Sequence, residues 1–370
     1  MEVCKIMGAK ALMIFHLDTE TEWRGGQQQA IYLIEGLIKR AIPVLLICRK
    51  DSKLYQYARK HHIPIETLPL LSEYDLFSAL KLKTLIRKYR AKLLHCHNSH
   101  ALGLAILTKF FINIPIVASR RVDFPLQKNI FSTYKYNTKK LNKLICISDN
   151  IRRIVMKSNI PEEKLITIRS AIDITKADKN GDVTNVLPEL PKSEFIIGTV
   201  AALTGHKDYP TLINAAEIVL KKKPNVKFVA IGAGKLQEEL SHLIISKGLQ
   251  EKFLFLGYKS NVYDYLKRFD IFVLASKLEG LGTSVLDALS CGKAIVATDA
   301  GGIPEMIVDR VNGLLVPKQN PEALANAIVE LIADSELRDK LSRQAKESVG
   351  LFDITQLVEQ HIELYNRLIK

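Results

Sequence analysis

Residues 274–305, LASKLEGLGTSVLDALSCGKAIVATDAGGIPE, decide how the rest of the chain reads. A hydrophobic run, Asp270–Ala275, leads into the stretch, and a helical pattern starts at about Thr283. Between them Gly280, Leu281 and Gly282 form a glycine-bearing turn. The order predicts a strand, a tight turn and the N-terminus of a helix. Such a terminus presents free N–H groups and the positive end of the helix dipole, so it can hold an anion. Glycines at 280 and 282 let the backbone approach a ligand closely. Thr283 or Ser284 is expected to cap the helix, and Asp287 to fall in its first turn. Glu279 and Asp287, with seven residues between them, would then serve one ligand: amides for a phosphate, carboxylates for sugar hydroxyls. The same spacing also suits an ordinary turn of a parallel sheet with both carboxylates solvated.

Working outward, the same rhythm recurs. Strands are expected at Phe195–Val200, Val226–Ile231, Phe253–Leu256, Ile271–Leu274, Ala294–Ala297 and Gly313–Val316. Helices are expected between them, at about Tyr209–Lys222, Lys235–Lys247, Val262–Arg268, Thr283–Leu289 and Pro321–Leu331. The first half repeats the pattern with strands at Ala11–Leu17, Pro43–Cys48, Ile63–Leu68, Leu93–Cys96, Ile114–Ala118, Leu144–Ile147 and Leu165–Ile168. Short apolar strands alternating with helices argue for parallel, doubly wound sheets. Residues 174–193 are polar and carry Gly181, Pro188 and Pro191, a linker composition. The expected organisation is therefore α/β: a Rossmann-like domain over 1–173, a linker over 174–193 and a second Rossmann-like domain over 194–353. The helical tail, about 354–370, is expected to rejoin the first domain. Ligands of such sheets bind at the carboxyl ends of strands, so the two domains are expected to face each other across a cleft.

The 370 residues are 47% hydrophobic and 25% charged, an ordinary globular composition. No apolar run approaches the ~18 residues of a membrane helix, and the N-terminus has no secretory pattern. Five scattered cysteines, Cys4, Cys48, Cys96, Cys146 and Cys291, read as reduced core thiols of a cytoplasmic protein. The net charge of +14 is unevenly spread. Residues 1–185 hold 31 Lys and Arg against 16 Asp and Glu, whereas residues 186–370 hold 22 against 23. The asymmetry suggests an anionic partner for the first half, or a merely solvated basic face. In Leu76–Arg90 the apolar positions Leu76, Phe77, Leu80, Ile86 and Tyr89 are expected to lie opposite Lys81, Lys83, Arg87, Lys88 and Arg90.

Other candidates are weaker. Gly25–Gly26 follows the first strand and opens a helix, so its backbone can approach a phosphate. Neither a G-x-G-x-x-G fingerprint nor a Walker Lys-Ser/Thr is present, which disfavours dinucleotide and P-loop readings. The run Ile231-Gly232-Ala233-Gly234-Lys235 resembles half a dinucleotide fingerprint, but a tight strand-to-helix turn fits it better. Lys207, after a strand end, could neutralise a diphosphate or be an ordinary loop lysine. His95, His97 and His100 cluster at a strand end without a companion cysteine or carboxylate pattern for zinc. His97 reads as a hydrogen-bonding site residue. No G-x-S-x-G elbow supports a hydrolase.

Together these segments resemble the family-four retaining glycosyltransferases of GT-B architecture, over nearly the whole chain. The specific signature is SKLEGLGTSVLDALSCGKAIVATDAGGIPEMI followed by VNGLLVP. The resemblance implies a role for each matching residue. Glu279 would hold donor sugar hydroxyls, the amides of Gly280, Leu281, Gly282 and Thr283 would contact sugar and phosphate, and Asp287 would bind ribose. Relatives carry glutamate where Asp287 stands. Lys207 matches the family lysine on the diphosphate; the companion arginine five residues earlier is Ala202 here. Gly25 and Gly26 match the glycine loop near donor diphosphate and acceptor. His97 ends its strand where relatives show a histidine. Arg121 stands where many relatives place a histidine near the donor sugar, and could instead neutralise the leaving diphosphate.

The implied reaction is transfer from a nucleotide-sugar to a glycan or lipid-linked acceptor, in cell-envelope polysaccharide or lipopolysaccharide synthesis. No cofactor or metal is expected, because amides and Lys207 would stabilise the leaving phosphate. The basic half, with Leu76–Arg90 and residues 128–143 foremost, is expected to meet an anionic membrane surface at the cytoplasmic face. A sugar-nucleotide epimerase of the same architecture is the alternative. A nucleic-acid-binding module finds no recognition motif.

Overall fold

The computed structural model describes residues 13–126, 130–179, 182–186, 188–190 and 192–369, without the side chains of 130–133 and 179. Cys4, the first two residues of the strand expected at Ala11–Leu17, Lys128–Asn129, Gly181 and Pro191 lie outside the described residues. The chain forms two compact units. The first is Met1–Ala171 with Ile354–Lys370, and the second is Ile172–Asp353.

The first unit is built on seven parallel strands: β1 (Ile14–Leu17), β2 (Val44–Cys48), β3 (Ile65–Thr67), β4 (Leu93–Cys96), β5 (Ile116–Arg120), β6 (Lys143–Cys146) and β7 (Leu165–Thr167). Their order is β3-β2-β1-β4-β5-β6-β7. Helices cover the sheet, so β1, β2, β4 and β5 are buried at every residue and are written as continuous apolar runs rather than alternating ones. β1 pairs with β2 on one side and β4 on the other, Ile14 lying opposite both Val44 and Leu93. Strand order therefore reverses between β1 and β4, and the loops after these two strands are where a ligand of such a sheet binds.

The second unit repeats the scheme with β8 (Phe195–Val200), β9 (Val226–Ile231), β10 (Phe253–Phe255), β11 (Ile271–Leu274), β12 (Ala294–Thr298) and β13 (Leu314–Val316). Its order, β10-β9-β8-β11-β12-β13, is all parallel and reverses between β8 and β11. Its core includes Ile197, Phe228, Val273 and Val296 from the sheet and Leu212, Ile213 and Ile328 from the helices Tyr209–Lys222 and Pro321–Ala333.

Two expectations change. The stretch 174–193, expected as a linker, belongs with the second unit. It forms a short helix, Thr175–Lys179, and a 3-10 turn, Val183–Val186. It is tied to the helix Val262–Arg268 through Arg268 Nε to the Leu190 carbonyl (3.0 Å) and Asn185 to Asp264 (3.1 Å). Val186 and Leu190 are fully buried there, so apolar anchors outweigh the polar composition. The second change concerns the helix Leu76–Tyr89. It buries Ser78, Ala79, Leu82 and Ile86, while Leu76, Phe77 and Leu80 are exposed on the side that carries the lysines. Lys81 sits 4.4 Å from the centre of the Phe77 ring. The tail is helical at Ser335–Ser348, in the second unit, and at Ile354–Leu368, in the first.

Candidate functional site

In the second unit the site is made by the loops after β8 and β11, on either side of the reversal point. The carbonyl of His206 accepts the backbone N–H groups of Lys277 (2.9 Å) and Leu278 (3.4 Å), which joins the two loops main chain to main chain. Lys207 ends a 3-10 turn, Gly205–Lys207, and its ammonium pairs with Glu279 Oε2. Ser276 Oγ donates to the same oxygen at 3.1 Å. The loop after β12 supports Glu279 from below: Gly302 N–H donates to the Glu279 carbonyl at 3.1 Å. Gly301 passes so close to that carbonyl that a Cβ would lie 1.8 Å from its oxygen, and its φ is +56°. Only glycine fits there.

The helix after the turn runs Thr283–Ser290. Its cap is Gly282, at φ 96° and ψ 62°, with no side-chain cap, so neither Thr283 nor Ser284 has the expected capping role. Starting at Thr283 also puts Asp287 beyond the first turn, which contains no acidic residue. Tyr263 OH donates to Asp287 Oδ1 at 2.7 Å. Burial raises the Asp287 carboxyl to about 6, against the opposing pull of that hydrogen bond and the charge of Lys176. Leu281 is buried, so it can offer a ligand only its main chain. The Val285 N–H turns back to the Gly282 carbonyl (2.9 Å), while the first amides of a helix, here those of Thr283 and Ser284, have no carbonyl of the helix to bond and suit an anion.

The Gly232–Gly234 turn is a packing device. Leu203 N–H donates to the Ala233 carbonyl (3.1 Å) and Leu236 N–H to that of Leu203 (3.3 Å). A Cβ at 232 or 234 would lie 2.0 Å from Ala201 O or 2.3 Å from Leu203 O. The helix that follows begins at Gln237 rather than Lys235.

In the first unit, Gly25 opens the helix Gly25–Lys39, and Gly26 lines a cavity of about 720 Å³ with His97, Arg120 and Arg121. The Arg121 stem lies along Gly26, where a Cβ would sit 3.5 Å from Cδ. Arg121 Nη1 donates to the His97 carbonyl at 2.8 Å, and Nη2 lies 3.3 Å from His97 Nδ1. Asp18, fully buried at the end of β1, ties the site loops together. It accepts from Gln27 (3.0 Å), Asn98 (2.8 Å) and the Glu20 N–H (2.9 Å). Burial raises its carboxyl, against those hydrogen bonds and the charge of Arg121.

Arginine only donates, so the Arg121 contact makes His97 Nδ1 an acceptor and leaves the proton of the neutral ring on Nε2. That proton faces His16 Nδ1 at 3.0 Å, which places the His16 proton on Nε2. His16 Nε2 is buried without a hydrogen-bond partner among the described residues. His95 bonds Tyr365 OH (2.6 Å) and Ser119 Oγ (2.8 Å). Ring nitrogens of His16, His95 and His97 lie within 4.8 Å of one another. His16 and His97 bond each other, the two His95 nitrogens are taken by Tyr365 and Ser119, and the Arg121 cation lies beside His97. His100, expected in the cluster, is exposed instead, and His16 takes the third place. Burial lowers His16 to about 3 and His361 to about 4 and holds His95 and His97 well below the usual range. Sequence reasoning missed His16, Asp18 and Tyr263. For the first two the available signal was the polar end, His-Leu-Asp, of an otherwise apolar strand.

Candidate residues thus cluster at the reversal point of both sheets, the arrangement of two-domain GT-B enzymes. The profile described as Glycosyltransferase Family 4 matches residues 23–176, and that described as Glycosyl transferases group 1 matches residues 187–348. An Escherichia coli relative, "UDP-Gal:alpha-D-GlcNAc-diphosphoundecaprenol alpha-1,3-galactosyltransferase", is 23% identical over 96% of each chain. The capsular polysaccharide biosynthesis glycosyltransferase CapM of Staphylococcus aureus is 23% identical over 91% of this chain and 93% of its own. Among solved structures, a Rickettsia africae glycosyltransferase superposes with a TM-score of 0.86 at 19% identity, covering 97% of this chain and 99% of its own. HepE of Anabaena in complex with UDP gives 0.86 at 20% identity over 96% and 100%. The protein is a glycosyltransferase of GT-B fold. It belongs to glycosyltransferase family 4, and the transferase relatives decide against the epimerase alternative.

Proposed function

We propose that the protein transfers a glycosyl group, with retention, from a UDP-sugar to a lipid-linked glycan acceptor in cell-envelope synthesis. The observation that carries this reading is the Lys207–Glu279 pair beside the start of the helix Thr283–Ser290. A donor diphosphate competes for Lys207 and takes the open amides, while its sugar hydroxyls take the freed Glu279. Asp287 holds the ribose. As the bond to the diphosphate breaks, negative charge grows on oxygens already faced by Lys207 and amides, and such preorganised donors stabilise it without a metal or cofactor. The acceptor hydroxyl attacks from the face the diphosphate leaves, and the leaving phosphate takes its proton. Arg121 and His97 serve the first unit's share of the site, beside Gly25 and Gly26. Glu279 is no glycosidase nucleophile, since two carboxylates flanking one glycosidic bond are lacking.

The lipid-linked acceptor is supported by the printed activity of the Escherichia coli relative. Its membrane setting is supported by the exposed Leu76, Phe77 and Leu80 among lysines. No helix among the described residues is long and apolar enough to cross a membrane, so contact would be peripheral. The decisive test is product analysis with UDP-sugars, with and without a lipid-linked glycan. Acceptor-dependent transfer with retained anomeric configuration is expected; an epimerised nucleotide-sugar from donor alone would overturn the reading.

A further inference from the structure

Beside the cavity that holds Gly26, His97 and Arg121 lies a second one of about 310 Å³. Its walls are Ile106, Leu107, Phe110 and Tyr134, and it exposes no polar surface. Glu73, Tyr74 and Lys135 line both cavities and form the partition between them. Glu73 reaches the partition because residue 103 is glycine: a Cβ there would lie 2.6 Å from Glu73 Cβ. Lys135 Nζ sits 2.5 Å from Glu73 Oε2, and only 11% of its side chain is exposed. On the larger cavity's side stand His100, Arg120 and Arg121; Arg120 Nη2 donates to the Phe124 carbonyl, and its buried Nε has no hydrogen-bond partner among the described residues. On the outer side Phe110 and Tyr134 open to solvent.

The volume is at the lower end of ligand sites, about 300–1,000 Å³, and an apolar cavity favours hydrocarbon over water. The guanidinium groups beyond the partition, with the Lys135 ammonium that a phosphate would share with Glu73, favour phosphate oxygens. One molecule satisfies both sides only if it is anionic at one end and hydrocarbon directly behind. We propose that the second cavity receives the hydrocarbon segment next to the phosphate of an isoprenoid-linked acceptor, with that phosphate at Lys135 and Arg120. The inference rests on the lipid-linked acceptor reading above and assigns the residues that recognise the lipid. A membrane lipid would need only the exposed rim; continuity with the cavity of Gly26 and Arg121 selects the acceptor.

The test is titration calorimetry with farnesyl diphosphate and inorganic diphosphate. Wild type should bind farnesyl diphosphate at least about tenfold more tightly, since each buried CH₂ contributes about 0.8 kcal/mol. Leu107→Trp, which fills the cavity, should abolish that preference and leave inorganic diphosphate affinity within about twofold. Tyr134→Ser, at the exposed rim, should reduce the preference several-fold and decides the matter if Leu107→Trp does not fold. Equal affinities in wild type, or a preference that survives in the folded variants, overturns the proposal. Thermal shift with UDP on the same samples separates the two readings. Stabilisation by UDP without a farnesyl preference removes only the hydrocarbon site, whereas no response to UDP removes the transfer reading beneath it.

Discussion

Lys207 and Glu279 form an ion pair that links the loop after β8 to the loop after β11, and both side chains are mostly covered, 14% and 12% exposed. Without ligand each neutralises the other, so an ammonium suited to a phosphate and a carboxylate suited to hydroxyls stand side by side. Lys207→Ala removes the ammonium proposed to face the leaving group and leaves Glu279 with Ser276 alone of its two side-chain partners. Initial-rate assays with the cognate donor should show kcat lowered by about 10²–10³-fold, the size of losing one preorganised donor. Glu279→Ala should cost a similar factor, and the double variant should lose less than the product of both, because the residues act as a unit. Near-wild-type transfer by either single variant would remove the pair from the site.

Asp287 predicts an opposition between function and stability. Its folded value, about 6, exceeds its ordinary 3.8. The folded state therefore holds the proton more tightly than the unfolded one. Stability falls as pH rises from 3.8 to about 6, and the penalty is complete above that, at most about 3 kcal/mol. Asp287→Asn should raise the urea midpoint at pH 7.5 and give no gain at pH 3.5, while weakening nucleoside diphosphate binding. A destabilised variant at pH 7.5 would show that the carboxylate is favourably held.

Gly301 supports Glu279 by close approach. Alanine at 301 meets both a positive φ and the Glu279 carbonyl. Gly301→Ala should lose at least about 2 kcal/mol of unfolding free energy and impair donor binding together. Gly205→Ala is the control, since a Cβ there meets nothing within 4 Å; its thermal midpoint should stay near wild type. Equal midpoints for the two variants would contradict the packing described.

The inner strands were legible because helices cover both faces of them, and strands buried on both faces are written as short runs of Val, Ile and Leu. Lys207 and Glu279, both singled out in the sequence, are brought together as an ion pair. What stayed hidden depended on contacts across sequence distance. His16 meets His97 81 positions away, and Tyr365 meets His95 270 positions away. The helix Leu76–Tyr89 misled because its face of small residues, Ser78 and Ala79, is the buried one. Position 282 misled because a left-handed glycine replaced the expected side-chain cap.

The exposed apolar residues of that helix give a binding prediction. Polybasic surfaces gain about 1 kcal/mol per Lys or Arg near an anionic leaflet, and salt screens the gain. Co-sedimentation with phosphatidylglycerol vesicles should be strong at low salt and drop steeply toward 0.5 M. Lys81→Glu with Lys83→Glu should weaken it, and Phe77→Ser should remove the salt-resistant remainder. Salt-independent or absent binding would leave this surface merely solvated.

The buried histidines set the acid limit of the fold. His16 at about 3 and His361 at about 4 stay neutral in the folded state, whereas unfolded histidine titrates near 6.5. Below 6.5 the unfolded chain binds protons that the folded one does not, so stability rises with pH through this range. Their contribution is complete above 6.5 and is lost as pH falls toward 4 and then 3. Asp287 acts in the opposite sense between 3.8 and 6 and blunts the loss. Each neutral histidine adds up to about 1.4 kcal/mol per pH unit to the slope. His361→Phe should therefore flatten the urea midpoint measured at pH 7.5, 5.5 and 4.5 by one proton's worth, even if it lowers the midpoint at pH 7.5. Among the described residues His361 hydrogen-bonds within its own helix, at the Leu357 carbonyl (2.7 Å), and its ring packs on His95 and Tyr365; lost packing moves the absolute midpoint, whereas the slope reports the proton. Parallel pH curves for wild type and variant would mean that His361 is protonated in the folded protein.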